Sequence, residues 1–266
     1  MIKINGKEIA SKIYARLSEK ETAGLKLAVL MAGEDSAISS FIKQKRRAAE
    51  EIGISFDLVS LPYKADTQNV INELNRLSFD KSVTAIVVQL PLPEHINKKA
   101  VIGAIPSEKD VDALNGGNVI SPAVGVVLEI ANEFGKDFHN TDVAVVGYGE
   151  LVGKPVYNAL KDKARSIKVL DKGSNISLGV AEADIIVLGT GVPGIVDSGM
   201  IRDRSLVIDF GYGKGSLGKS SGDFKLRPED EDKDFAYTPT PGGTGPILVA
   251  KLFENVFEIE TSDKNK

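Results

Sequence analysis

Phe41 and Lys45 stand four residues apart in a stretch with helical spacing, so they share one helix face. An aromatic ring beside an ammonium suits a flat, polar substrate; the plainer alternative is a core phenylalanine next to a solvated lysine. Gln89 closes a β-branched run and is followed at once by Leu90-Pro91-Leu92-Pro93. Proline fixes φ and removes an N–H donor, so that turn is held in one shape. Asp110 and Asp112, in K-D-V-D-A, bracket an apolar residue in a loop. Taken singly, each of these residues reads as structural. A lysine withdrawn from water has a lowered pKa and can act as an acid or a base.

A second group of residues points to a nucleotide. The run V-A-V-V-G-Y-G-E-L-V-G-K-P carries Gly147, Gly149 and Gly153 between an apolar strand and a helix. Glycines there allow a tight turn and close backbone approach to a pyrophosphate, and the helix N-terminus offers free N–H groups. The spacing G-x-G-x-x-x-G is one residue longer than the commonest fingerprint, and a glycine-rich connecting turn is the alternative. Asp171 ends the next strand, where a Rossmann unit places its ribose-binding acid, which favours NAD. Lys172 follows at once and can pair with a 2′-phosphate, which favours NADP. Gly189 to Gly194 and Asp209-Phe210-Gly211-Tyr212 follow two further apolar strands, at carboxyl ends where open α/β sheets hold ligands. Backbone contacts to a nicotinamide fit there, around Gly191 and Tyr212. For Asp209, capping the loop is an equal alternative to touching a ligand.

Composition narrows the classes. The 266 residues allow two modest domains. A net charge of −4 gives no broad pull toward nucleic acid or an acidic membrane. There is no cysteine, hence no disulfide framework, thiol nucleophile or thiolate metal site. His95 and His139 have no metal-binding spacing, so no metal site is expected. No apolar run approaches the ~18 residues of a membrane span, and a soluble cytoplasmic protein is the expectation.

The elements that must position these residues alternate. Leu25–Leu30, Ile54–Ser60 and Thr84–Gln89 read as strands, with helical patterns over Ser36–Ile52, stopped by Gly53, and Thr67–Leu77. Alternation of this kind implies parallel βαβ crossovers. It restarts with Val143–Val146, Ile167–Leu170, Ile185–Leu188 and Leu206–Ile208, all nearly wholly apolar and so expected to be covered on both faces. A glycine- and proline-rich stretch, Asn115 to Gly125, suggests a boundary. Gly213 to Gly222 reads as a loop, and Gly245–Ile259 as a final helix.

In chain order, S-x-F-I-K-Q-K, Q-L-P-L-P-E-H, K-D-V-D, G-Y-G-E-L-V-G-K-P and T-P-T-P-G-G-T-G-P resemble the bifunctional methylenetetrahydrofolate dehydrogenase/methenyltetrahydrofolate cyclohydrolases. The resemblance runs from about residue 30 to residue 255. It implies an N-terminal α/β three-layer domain and a Rossmann-like domain with a parallel sheet, separated by a cleft. The divisions expected are 1–118 plus 245–266 for folate and catalysis, and 119–244 for NAD(P). It implies that Lys45 is the catalytic lysine, Gln89 its partner, and Asp112 the acid that holds the pterin ring. Phe41, Leu90, Pro91, Pro241, Gly242 and Gly243 would line the folate side. Gly147, Tyr148, Gly149, Gly153, Asp171, Lys172, Gly191 and Tyr212 would serve the cofactor, NADP first and NAD as the alternative. Tetrahydrofolate one-carbon derivatives are the implied substrates, and a homodimer the implied assembly.

Several positions depart from the family pattern. Phe41 stands where tyrosine is usual, which keeps the ring and removes the hydroxyl. D-V-D-G is D-V-D-A here, at Ala113. P-C-T-P-x-G is I-S-P-A-V-G, ending at Gly125. G-R-S is Gly147-Tyr148-Gly149, which loses a basic residue and a hydroxyl, and G-P-M-T is Gly245-Pro246-Ile247-Leu248. The rival readings are a dehydrogenase without the hydrolytic step, a silent folate or nucleotide binder, and a Rossmann dehydrogenase of amino or hydroxy acids. Retention of Lys45, Gln89 and Asp112 speaks against the second. The paired Q-L-P-L-P and P-G-G-T-G-P motifs speak against the third.

Overall fold

Short apolar strands and helices alternate along the chain in a computed structural model that describes residues 1–33, 36–214 and 220–264. The order begins with β1 (Ile2–Lys3), α1 (Gly6–Ser18), β2 (Lys26–Ala32), α2 (Ser36–Ile52), β3 (Ser55–Leu61), α3 (Thr67–Phe79) and β4 (Ala85–Val88). It continues through α4 (Lys98–Gly103), α5 (Pro122–Glu133), β5 (Asp142–Val146), α6 (Gly153–Leu160), β6 (Ser166–Leu170), α7 (Ile176–Val180) and β7 (Ile185–Leu188). Last come β8 (Val196–Asp197), β9 (Leu206–Asp209), β10 (Gly213–Lys214), β11 (Ser220–Ser221), β12 (Phe224–Lys225), β13 (Ala236–Tyr237) and α8 (Thr244–Lys264). The seven main strands and three main helices read from the sequence are present, with ends shifted by a residue or two except at α8. The sequence pattern does not single out α1, α4 or α5.

The chain forms two compact units. One comprises Ala10–Pro122 and the chain from Val249 onward; the other comprises Met1–Ile9 and Ala123–Leu248. The sequence-based division put residues 1–9 with the first unit. In the structure they group with the second, because β1 pairs in parallel with β13 through Ile2↔Ala236 and Lys3↔Tyr237.

In the first unit the sheet order is β3-β2-β4, all parallel. Ile86 of β4 bridges in parallel to Asp110, which brings the K-D-V-D segment alongside the sheet. Ala28, Leu30, Ile86 and Val88 pack there with Val70, Leu74 and Leu77 of α3. A capping box starts α3: the Asp66 carboxylate accepts from the Asn69 N–H, and the Asn69 side chain accepts from the Asp66 N–H. On α2, Ile42, Lys45, Ala49 and Ile52 are all buried. Their 3–4–3 spacing is the inward stripe of an amphipathic helix, and Lys45 is the charged member of it. Gly53 ends α2 at φ +77°, a conformation open to glycine without strain.

In the second unit six strands form one parallel sheet, in the order β1-β13-β9-β7-β5-β6. The central strands β5, β7 and β9 are nearly all buried, as their apolar runs require. The chain passes from β5 to β6 on one side and returns to β7 on the other. The order therefore reverses at β5, and the carboxyl ends of β5 and β7 flank a topological switch point, where open α/β sheets bind ligands. The segment read as a loop, Gly213 to Gly222, has paired ends: β10 and β11 are antiparallel, with Gly213 opposite Ser221. Glycine and serine hide such a pair because two residues on each side give no alternation to detect. Residues 215–219 of that segment lie outside the described residues.

Candidate active site

In the first unit Lys45 and Gln89 are joined. The Lys45 Nζ donates to Gln89 Oε1 at 2.8 Å, and the two residues are only 8% and 7% exposed. Gln89 is fixed twice over. Its backbone N–H continues the β4 ladder to the Leu30 carbonyl at 2.8 Å. Its side-chain Nε2 donates to the Leu90 carbonyl at 2.7 Å, which leaves Oε1 to face the lysine. The turn beyond is anchored by its two leucines. Leu90 and Leu92 pack against the core while Pro91 is exposed, and the Leu90–Pro91 peptide is cis. Phe41 lies one turn before Lys45 on α2 and is half-buried.

Burial drives the Lys45 pKa below that of an ordinary lysine, and the nearby Asp112 charge offsets part of the fall. Asp112 is moved the other way. Burial raises it above the usual carboxylate range, Lys45 pulls it back, and Asp110 pushes it up further. Its loop is held by groups that the sequence pattern does not flag. Asp110 is 1% exposed and its Oδ2 accepts from the Asn115 N–H at 2.7 Å. The Asn255 Nδ2 of α8 donates to the carbonyls of Val111 and Ile120, both at 2.8 Å. Lys109 reaches the carbonyls of Ser78 and Asp80, capping the end of α3. Ala113 completes the turn at φ +54°, in the left-handed region where the family pattern has glycine.

In the second unit the glycine turn has the shape a pyrophosphate needs. Gly147 sits at φ +88°, and an added Cβ would lie 3.0 Å from the Gly189 carbonyl oxygen. A Cβ on Gly153 would lie 1.9 Å from the Gly147 carbonyl oxygen, so α6 closes on the turn only with glycine there. A Cβ on Gly149 would make only ordinary contact, 4.0 Å from the Gly189 carbonyl oxygen. The Gly147 N–H donates to the Leu170 carbonyl at 2.8 Å, which sets Asp171 and Lys172 beside the turn, both exposed. The Asp171 Oδ1 accepts from the Lys172 N–H at 2.9 Å. Tyr148 is exposed and meets Tyr157 edge-on. Gly191 is also left-handed, at φ +71°. Tyr212 is half exposed, and its hydroxyl accepts from Ser220 Oγ at 3.0 Å. These residues fit an NAD(P) dinucleotide: a bare glycine cradle, the first turn of α6 and an acid–lysine pair at the ribose position.

Asp209 caps its own loop: its carboxylate accepts from the N–H groups of Gly211, Asp223 and Phe224. Burial, reinforced by Asp223, raises it to about 6 even against those three hydrogen bonds. Asp223 itself, which sequence reasoning missed, is 0% exposed. The only sign of it in the sequence is an acid after glycine, an ordinary surface-turn pattern. The segment from Thr238 to Pro246 is held nearby. Thr238 Oγ1 accepts from the Asp209 N–H, and Thr244 Oγ1 donates to the Asp209 carbonyl. The Thr240–Pro241 peptide is cis, Gly242 has φ +98°, and the Gly6 N–H donates to the Gly242 carbonyl at 3.0 Å. A Cβ on Gly243 would lie 2.5 Å from the Pro239 carbonyl oxygen, so its backbone approach also demands glycine.

A buried lysine–glutamine pair on one α/β unit and a glycine cradle at the switch point of a Rossmann-like sheet define a two-domain nucleotide-dependent α/β enzyme. The family models for tetrahydrofolate dehydrogenase/cyclohydrolase match on both units, the catalytic domain over residues 4–112 and the NAD(P)-binding domain over residues 121–264. The chain belongs to that family. It is 33% identical to the bifunctional protein FolD of Francisella philomiragia, over 97% of this chain and 98% of that one. Among solved structures it is similar to FolD of Campylobacter jejuni, with a TM-score of 0.89 and 29% identity over 97% of this chain and 98% of that one. It is also similar to the Trypanosoma brucei methylenetetrahydrofolate dehydrogenase-cyclohydrolase complexed with NADP and inhibitor. There the TM-score is 0.90 and the identity 27%, over 100% of this chain and 99% of that one. Among the described residues no helix is long and apolar enough to cross a membrane.

Proposed function

We propose that this protein oxidises 5,10-methylenetetrahydrofolate to the 5,10-methenyl form and hydrolyses that to 10-formyltetrahydrofolate. The observation that carries the reading is the buried Lys45–Gln89 hydrogen bond, an activated amine with a fixed partner. When bound, NAD(P)+ supplies the hydride acceptor; NADP is the first choice, in keeping with the relative solved in complex with it. The methenyl cation left behind is stabilised by its two flanking nitrogens, so the oxidation asks the protein chiefly for orientation. Asp112 would grip the pterin edge, with Phe41, Leu90 and Pro91 of the same unit beside it, and the family likeness assigns Pro241, Gly242 and Gly243 to the folate as well.

The hydrolytic step needs a base. Burial favours the neutral amine of Lys45, which takes a proton as water adds to the methenyl carbon. The resulting ammonium returns a proton to N5 as the carbon–N5 bond breaks, the added hydroxyl loses its proton, and one proton is released overall. Gln89 holds the amine in line throughout by accepting one of its hydrogens. The family likeness supports a homodimer, and the ordinary composition without cysteine is in keeping with the cytoplasm.

The test is a spectrophotometric assay with 5,10-methylenetetrahydrofolate and NADP or NAD, following reduced cofactor and methenyl intermediate separately. Turnover with little methenyl build-up supports both activities. Methenyl accumulation would remove the hydrolytic half, with the missing Phe41 hydroxyl as the first suspect. No turnover with either cofactor would overturn the reading.

A further inference from the structure

We infer that Asp223 is a positioning residue for the dehydrogenase step: it locks the Thr190–Gly191 loop against the glycine cradle and so sets dinucleotide affinity without touching the chemistry of Lys45. The inference rests on the dehydrogenase reading above. The Asp223 Oδ2 accepts three hydrogen bonds, from the Thr190 N–H at 2.6 Å, the Thr190 Oγ1 at 2.8 Å and the Gly191 N–H at 3.1 Å. Thr190 in turn forms the wall of the pyrophosphate turn: its Cγ2 would lie 2.9 Å from a Cβ added to Gly147. The loop leaves the carboxyl end of β7, one side of the switch point.

The residue is integrated beyond that loop. Its backbone N–H donates to Asp209 Oδ1 at 3.2 Å, and Asp209 ties the loop after β9 through the Gly211 N–H at 2.7 Å. Two buried carboxylates thus fix the loops after β7 and β9 and the start of β12 to one another. Among the described residues the other oxygen of Asp223, Oδ1, is buried with no hydrogen-bond partner. It is aimed at Gly211, where an added Cβ would come within 2.1 Å. An unpaired buried acceptor on a structural residue is costly. The contacts of Asp223 Oδ2 with Thr190 and Gly191 are what hold that loop.

The experiment compares Asp223→Ala, Asp223→Asn and Thr190→Val with the full-length native chain. Two readouts are taken: NADP and NAD binding by calorimetry, and hydrolysis of supplied 5,10-methenyltetrahydrofolate without cofactor. Asp223→Ala is expected to weaken dinucleotide binding by about 10- to 100-fold, the loss of hydrogen bonds to a charged acceptor. Methenyl hydrolysis should stay within about twofold, because among the described residues the Lys45–Gln89 pair has no hydrogen bond to Asp223 or Thr190. Asp223→Asn keeps one oxygen to accept from Thr190 and Gly191, so it should recover most of the affinity. Thr190→Val removes only the hydroxyl contact and should fall between. Equal loss of binding and hydrolysis in all three variants would mean a purely structural residue and overturn the inference, as would native binding in Asp223→Ala. Should Asp223→Ala not fold, the order of Asp223→Asn and Thr190→Val decides alone. Native chain that binds dinucleotide but turns over no folate would sink the functional reading while leaving the binding comparison intact.

Discussion

Lys45 Nζ and Gln89 Oε1 lie 2.8 Å apart, between a helix and a strand end separated by 44 positions in the chain. The pairing exists because two unrelated local rules agree. The 3–4–3 stripe of α2 turns Lys45 inward, and the β4 ladder carries Gln89 one residue past the last apolar position. Lys45→Met keeps the length of the stem and removes the amine. It should lower methenyl hydrolysis by about 10²- to 10⁴-fold, the range for a lost acid–base group. Dinucleotide binding measured by calorimetry should be unchanged, and a Lys45→Met chain with full hydrolysis would remove Lys45 from the mechanism.

The same burial fixes a pH dependence. The neutral amine is favoured, so the basic limb of the hydrolysis profile should set in well below the range of a free lysine. Asp112→Asn takes away the charge that opposes this and should shift that limb to lower pH still. A profile that rises only in the range of an exposed lysine, in native and variant alike, would contradict it.

Ala113 at φ +54° is strained where glycine would not be. The left-handed region costs a side-chain residue about 1–2 kcal/mol, and glycine loses about 0.5–1 kcal/mol of that advantage to chain entropy. Ala113→Gly should therefore be neutral to stabilising, by up to about 1.5 kcal/mol, or a rise of up to about 3–6 °C in the midpoint of thermal unfolding. A clear loss of stability by scanning calorimetry would show the turn is not strained.

Gly153 makes the opposite case. Its added Cβ would meet the Gly147 carbonyl oxygen at 1.9 Å, and backbone on both sides cannot give way cheaply. Gly153→Ala should abolish measurable NAD(P) binding while sparing methenyl hydrolysis. Retained micromolar-range affinity would mean that the turn does not hold the dinucleotide.

Asp209 gives a stability signature. Its folded pKa of about 6 is raised above the unfolded value, so the folded state binds the extra proton between about 4 and 6. Its contribution is present at low pH and is lost as pH rises through the folded pKa. Asp142 runs the other way. Arg165 and Ser166 lower it to about 2, so its stabilisation is lost only as pH falls through that value. Unfolding by urea at pH 4.5 and pH 7.5 should therefore show a difference in native protein that shrinks in Asp209→Asn. An unchanged difference would assign the effect to other groups.

Much of this architecture was legible because buried parallel strands are written as unbroken apolar runs. Val143–Val146 and Ile185–Leu188 need no periodicity to be recognised, and Gly53 marks a helix end by its own chemistry. Lys45 and Gln89, each of which reads as structural on its own, were singled out through the family resemblance, and the structure brings them into one hydrogen bond. The residues that hold these groups in place were not singled out. Asn255 works by donating to two backbone carbonyls from a helix whose asparagine could as well face water. Asp223 works by accepting from backbone 32 and 33 residues earlier in the chain. Neither spacing nor propensity carries that information, since it depends on which loops the sheet order brings together.

The pairing of β1 with β13 bears on how the molecule is made. β1 and β13 lie more than 200 residues apart in the chain, while Gly6, four residues on from Ile2, supports the Gly242 carbonyl in the P-G-G turn. A contact of such long sequence separation is entropically expensive to close and forms late. The nucleotide-binding sheet is therefore completed by a strand far from the rest of it in the chain, and a fragment beginning at residue 121 would leave β13 as a bare edge and the P-G-G turn without its brace.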